Sequence, residues 1–206
     1  MASKGPGLEL IRLRKAIADL EATFLLQQLA PPPLSVPSRS DQLATTAFLV
    51  MAHAAFEYFA ENVAQWALGR IVDSWTMKQR IGRGTATLLL YRGERELPET
   101  DESVFDQVRL ALDNGKQTLS KLLHKENNGV SQKHLRALFY SVGIEVPTDP
   151  VLVSSLQRLV TARHEGAHGK VFGATVVMSA QDAKIVVEDC LKLAEKLVTS
   201  AKASRP

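Results

Sequence analysis

Along most of this chain apolar residues recur every three to four positions, the period of a helix with one buried face. Residues 7–30 predict a first amphipathic helix, with Leu8, Ile11, Ala16, Leu20, Phe24 and Leu25 toward one side. Pro31-Pro32-Pro33 ends it, because proline lacks the donor and drives the preceding residue out of the helical region. Residues 31–38 are then a stiff connector. Ser38-Arg-Ser-Asp41 is a capping signal for a second helix from about 40 to 74. Between Ala47 and Ala60 that helix is apolar nearly all round, so it should be the central helix of a bundle.

The pattern changes at about 76–100. Lys78, Arg80, Arg83, Arg92 and Arg95 stand against Glu94 alone up to position 95, with Gly82, Gly84 and Gly93 among them. This reads as an inserted basic loop or helical segment, either solvated or, at Arg80 and Arg83, touching an RNA backbone. Helical patterns resume at about 101–113, 116–125 and 131–142, separated by Asn114-Gly115 and Asn127-Asn128-Gly129. His124 and His134 fall on polar sides and read as solvated. Pro147 and Pro150 bracket a turn before the next helix. Val171–Met178 is short and β-branched, either extended or a loop. Ser179-Ala-Gln-Asp182 caps a last helix whose stripe runs through Ala183, Val186, Val187, Cys190, Leu191, Ala194, Leu197 and Val198.

Composition narrows the class. The 206 residues suit a single domain, 1–206, with a bundle over 40–201, and 45% hydrophobic with 23% charged is ordinary for a globular protein. A net charge of +3 permits a nucleic-acid partner without arguing for one. The single cysteine, Cys190, excludes an internal disulfide framework, fits a reducing compartment, and sits in the last helix's stripe as an inert packing residue. The N-terminus lacks a signal peptide's apolar core, and no run is expected to span a membrane, since Ala47–Ala60 carries His53 and Glu57. The expected setting is cytoplasmic.

Chemistry concentrates in Leu156-Gln-Arg-Leu-Val-Thr-Ala-Arg-His-Glu-Gly-Ala-His-Gly169. The stripe Leu152, Leu156, Leu159, Val160 continues onto Arg163, and a permanent charge on an apolar stripe requires a partner. His168 follows five residues later, and Gly166 and Gly169 should let the helix fray and stop. His53 and Glu57, four apart on the second helix, are either a mutually hydrogen-bonded buried pair or the groups that orient Arg163 or His168. His164-Glu165-Gly166-Ala167-His168 is also a literal H-E-x-x-H, the zinc-hydrolase pattern. That reading needs Glu188 as a third ligand, sets Gly166 inside the metal-holding helix, and leaves Arg163 unexplained. Arg163 with His168 suits proton transfer and anion binding instead.

Arg163-His-Glu-Gly-Ala-His168-Gly169 resembles the R-x(4–6)-H signature of the HEPN superfamily, often R-N-x-x-A-H-G, with the alanine and glycine flanking His168 in place. Phe139-Tyr-Ser-Val-Gly-Ile-Glu-Val-Pro and the apolar Phe48–Trp66 helix with Glu57 are similar to the RiboL-PSP type. His164 stands where asparagine is usual, and Gly166 where an aliphatic is common. Arg158 and His164 also fit the loose formula; Ala-His-Gly selects the Arg163 register. The resemblance implies an all-α helical bundle, commonly a homodimer with two motifs meeting at the interface. It implies a metal-independent, cofactor-free endoribonuclease of toxin, phage-defence or RNA-processing type, with Arg163 and His168 catalytic. His164, Glu57 and His53 would support them, and Lys170, Arg80 and Arg83 would contact RNA. A non-catalytic HEPN scaffold that binds nucleotide or a partner, such as an antitoxin or a nucleotidyltransferase-type protein, is the alternative it leaves open.

Overall fold

A computed structural model describes residues 5–29, 37–92, 103–123, 129–167, 178–204 and 206. These form seven α-helices, with no strand among the described residues: α1 Pro6–Phe24, α2 Arg39–Lys78, α3 Arg83–Arg92, α4 Val104–Lys121, α5 Gln132–Phe139, α6 Pro150–Ala167 and α7 Ala180–Ala203. A 3₁₀ turn, Tyr140–Val142, follows α5. The all-α expectation holds.

The long α2 is the axis of the bundle, and α1, α3, α5, α6, α7 and the 3₁₀ turn all pack on it. Its start is the expected one: Asp41 N–H donates to Ser38 Oγ at 3.2 Å, and Ser38 N–H donates back to the Asp41 carboxylate at 2.9 Å. Phe48, Ala52, Phe56, Phe59, Ala60 and Val63 are buried from it, against Leu13 and Ile17 of α1, Leu156 and Leu159 of α6, and Val186, Cys190 and Leu197 of α7. Each large side chain so buried stabilises the fold by about 1.5–3 kcal/mol. An 18-residue window of α2 reaches a mean hydropathy of 1.3, long and apolar enough to cross a membrane by length and composition, which exceeds the expectation for this stretch. Only 44% of that window is buried inside the bundle.

Four elements differ from their sequence reading. The first helix stops at Phe24 rather than near 30; a turn follows, and Gln28 Oε1 accepts a hydrogen bond from Thr45 on α2 at 2.9 Å. Its buried stripe is Glu9, Leu13 and Ile17, while Ile11 is 64% exposed. Arg12 pairs with the buried Glu9 at 2.8 Å, which lets a carboxylate occupy an inward position. The 76–100 stretch is less irregular than expected, since α2 runs on to Lys78 and Arg83–Arg92 form α3, whose Thr85 and Leu88 are fully buried. Asn114-Gly115 does not break α4. A Cβ on Gly115 would lie 3.1 Å from Leu88, so the glycine lets α3 approach closely. The Pro31–Pro33 part of the connector, His124 and Val171–Val177 lie outside the described residues.

Candidate functional site

Arg163 is placed by the packing of α6 on α2. Leu152, Leu156 and Leu159 are buried as their spacing predicts, and Arg163 emerges half-buried one turn further on. Gly166 does not end the helix. A Cβ there would stand 2.9 Å from both Thr46 and Val50 of α2, so its absence brings the last turn of α6 hard against α2. Thr46 and Val50 face Gly166 while His53 and Glu57 feel Arg163, which sets the two helices antiparallel here.

His53 is 2% exposed. Burial first, then the Arg163 guanidinium and His134, push its imidazole down to about 4, so it is neutral at physiological pH. Its Nδ1 lies 4.0 Å from the Glu57 carboxylate, too long for the mutual hydrogen bond that the simpler sequence reading supposes. Glu57 instead accepts the backbone N–H of Gly129. Burial and then the neighbouring Glu61 carboxylate raise the Glu57 carboxyl above its ordinary range, against the pull of Arg163 and of that N–H. Arg163 thus lies within electrostatic reach of an acid and an imidazole on α2, of which the Glu57 carboxylate is the one that favours its charge.

The start of α5 adds a residue, His134, that sequence reasoning took for solvated. A Cβ on Gly129, which has φ 154°, would lie 3.7 Å from His53 Nε2 and 3.8 Å from His134 Nδ1. His134 is half-buried; its backbone N–H donates to Ser131 Oγ at 3.3 Å, and its Nδ1 is 2.7 Å from the same oxygen. Ser131-x-x-His134 has the spacing of a capping box, with histidine in the place of glutamate. That spacing was the available signal, and it turns the ring back toward the start of α5.

The remaining candidates are not gathered here. His164 and Glu165 are exposed on α6. Glu188, which a zinc site would need, is exposed on α7 with Lys184 at 3.8 Å. Arg80 is exposed, and Arg83 pairs with Glu145 at 2.6 Å. Gly84, next to Arg83, lies against Ile71, which is roughly 27 Å along α2 from His53 at the rise of an α-helix. Arg80 and Arg83 thus belong to the other end of the molecule. His168 and Lys170 lie outside the described residues, just beyond the end of α6.

The sequence model of the RiboL-PSP-HEPN family matches residues 11–203, from within α1 to the last residue of α7. No curated protein and no solved structure matches the chain.

Proposed function

The chain belongs to the RiboL-PSP-HEPN family, and from that premise we propose that it is a cytoplasmic, metal-independent endoribonuclease acting in defence or RNA processing. The observation that carries the reading is the convergence of Arg163, His53 and Glu57 where α6 closes on α2. Arg163 supplies a fork of donors for the charge that builds on a phosphorane. His168, five positions beyond it, supplies an imidazole for proton transfer. The ribose 2′-oxygen attacks the adjacent phosphorus, the bond to the 5′-oxygen breaks, and the 2′ proton leaves as the 5′-oxygen gains one. The products are a 2′,3′-cyclic phosphate and a 5′-hydroxyl. Buried and neutral, His53 orients the guanidinium without competing for its charge.

The test is cleavage of end-labelled RNA in EDTA with analysis of the product ends. His168→Ala is expected to lower the rate about 10²- to 10⁴-fold while helical circular dichroism is kept, and Arg163→Ala to remove activity as well. Unchanged cleavage by His168→Ala would sink the mechanism. A folded wild type inert on several RNAs points to a binding scaffold. A tightly held zinc lost in His164→Ala would transfer the site to hydrolase chemistry.

A further inference from the structure

The C-terminal end of α2, far from Arg163, holds an aromatic surface that the cleavage chemistry does not use. The stripe that buries α4 runs at seven-residue intervals from Leu119 back through Leu112 to Phe105. Leu119 and Leu112 are buried, yet Phe105 is 58% exposed, because the stripe outruns the core. Its ring stacks instead on Trp75 of α2, with centroids 6.2 Å apart and planes 29° from parallel. Trp75 is half-buried against the core, so one side of the pair is fixed and the other is open.

A cation accompanies each ring. Lys78 follows Trp75 by three positions and Arg109 follows Phe105 by four, the spacings that put two side chains on one side of a helix. Asp73, two positions before Trp75, falls on the opposite face of α2. Lys78 and Arg80 are exposed and enter no ion pair among the described residues. Arg109 meets only Asp106 there, at 3.3 Å, in an exposed pair that contributes little. A purely apolar partner would strand these charges beside the rings. A single strand of RNA answers both features along one chain, with flat base faces for the rings and phosphates for the cations.

Resting on the ribonuclease reading, we propose that Phe105 and Trp75, with Lys78 and Arg109, form a second RNA contact, a stacking platform for unpaired bases. Trp75 lies about 33 Å along α2 from His53 at the rise of an α-helix. A strand that touches both places is on the order of ten nucleotides long at roughly 3.4 Å per nucleotide. The platform therefore acts on the affinity for long unpaired RNA and leaves the chemical step alone. Duplex RNA, with its bases stacked on one another, offers the rings no free face.

Trp66→Phe leaves Trp75 the one tryptophan of the chain, and its fluorescence then reports a base laid on the pair. The probe is a 2′-O-methyl oligoadenylate of about 20 nucleotides, long enough for both contacts and blocked against cleavage. Quenching is expected with this oligomer and not with its duplex, and Lys78→Gln should weaken binding and lower its salt dependence. On a cleavable RNA of that length Phe105→Ala is expected to raise KM about 5- to 150-fold with kcat kept. Cleavage of an RNA of about four nucleotides, too short to span the two contacts, should stay at the wild-type rate. Phe105→Leu, which keeps apolar bulk without a ring, should behave as Phe105→Ala does; a wild-type KM in that variant overturns stacking. An unquenched Trp75 in a protein that cleaves RNA overturns the proposal, leaves the ribonuclease reading standing and gives this face to a protein partner. An equal loss on long and short RNA overturns it too. Quenching in a wild type that cleaves nothing upholds the platform and removes the ribonuclease reading, and a protein that neither cleaves nor quenches overturns both.

Discussion

Burying His53 beside Arg163 ties the stability of the protein to pH. The unfolded imidazole titrates near its ordinary 6.5, while the folded one titrates at about 4. Below 6.5 the unfolded state binds the proton that the folded state refuses, so stability is lost as pH falls from about 6.5 to 4 and levels out below that. The shift corresponds to about 3 kcal/mol at most. Glu57 acts in the opposite sense, because its raised folded pKa favours the protonated form and its contribution is lost as pH rises through it. Urea unfolding at pH 7.5, 6, 5 and 4.5 should show a falling midpoint, and His53→Gln should flatten that fall. An equal slope in the variant would mean that other groups carry it. The packing of His134 was missed in the sequence because its polar-side position says nothing of a capping serine that turns the ring inward.

At the scale of the helix, two glycines give opposite expectations for one substitution. Gly69 lies on the exposed side of α2, and a methyl group added there would meet no atom within 4 Å. Gly69→Ala is therefore expected to stabilise by about 0.5–1 kcal/mol through helix propensity and a less free unfolded chain. Gly166→Ala would press a methyl group to 2.9 Å from Thr46 and Val50, whose β-branched side chains have little freedom to move away. Overpacking of that kind costs about 1–3 kcal/mol and displaces the turn that carries Arg163, so activity should fall further than stability. Thermal unfolding and RNA cleavage of the two variants separate these outcomes; a Gly166→Ala protein as active as wild type would show that α6 and α2 need not touch there. The same glycines explain what was legible. Serine caps at Ser38 and Ser179 and the apolar stripes of α2, α6 and α7 are local signals, so those helices could be read directly. Gly115 and Gly166 resemble helix breakers in a sequence, yet both mark places where another helix comes close, and only tertiary packing distinguishes the two roles. The inward Glu9 was likewise hidden until its Arg12 partner was seen.

For the whole molecule, α2 is more apolar than its own bundle requires. Met51 is 50% exposed and Tyr58 62% exposed, one helical face apart from the side that carries His53 and Glu57. They border an open apolar groove of about 550 Å³ with Leu20 and Phe24 of α1. The family resemblance led to a homodimer, and a second copy covering this strip would bury its exposed apolar surface. Light scattering at micromolar concentration should give twice the 22.6 kDa chain mass, and Tyr58→Glu should shift the protein toward monomer and reduce cleavage. A wild type that is monomeric and fully active would remove the need for a shared site.

Cys190 offers a clock for the opening of this bundle. It is 1% exposed in the middle of α7, packed in the core that α2 and α6 complete, and burial, with the Asp189 carboxylate beside it, pushes its thiol up to about 12. A thiol in that state is neither reachable nor ionised, so a maleimide or disulfide reagent can capture it only after the helices part. Because the chain has one cysteine, the labelling rate at saturating reagent reads the opening rate directly, with no engineered probe. Ligands that close the site between α2 and α6 should slow this clock, which makes trapping kinetics a screen for bound RNA that is independent of cleavage.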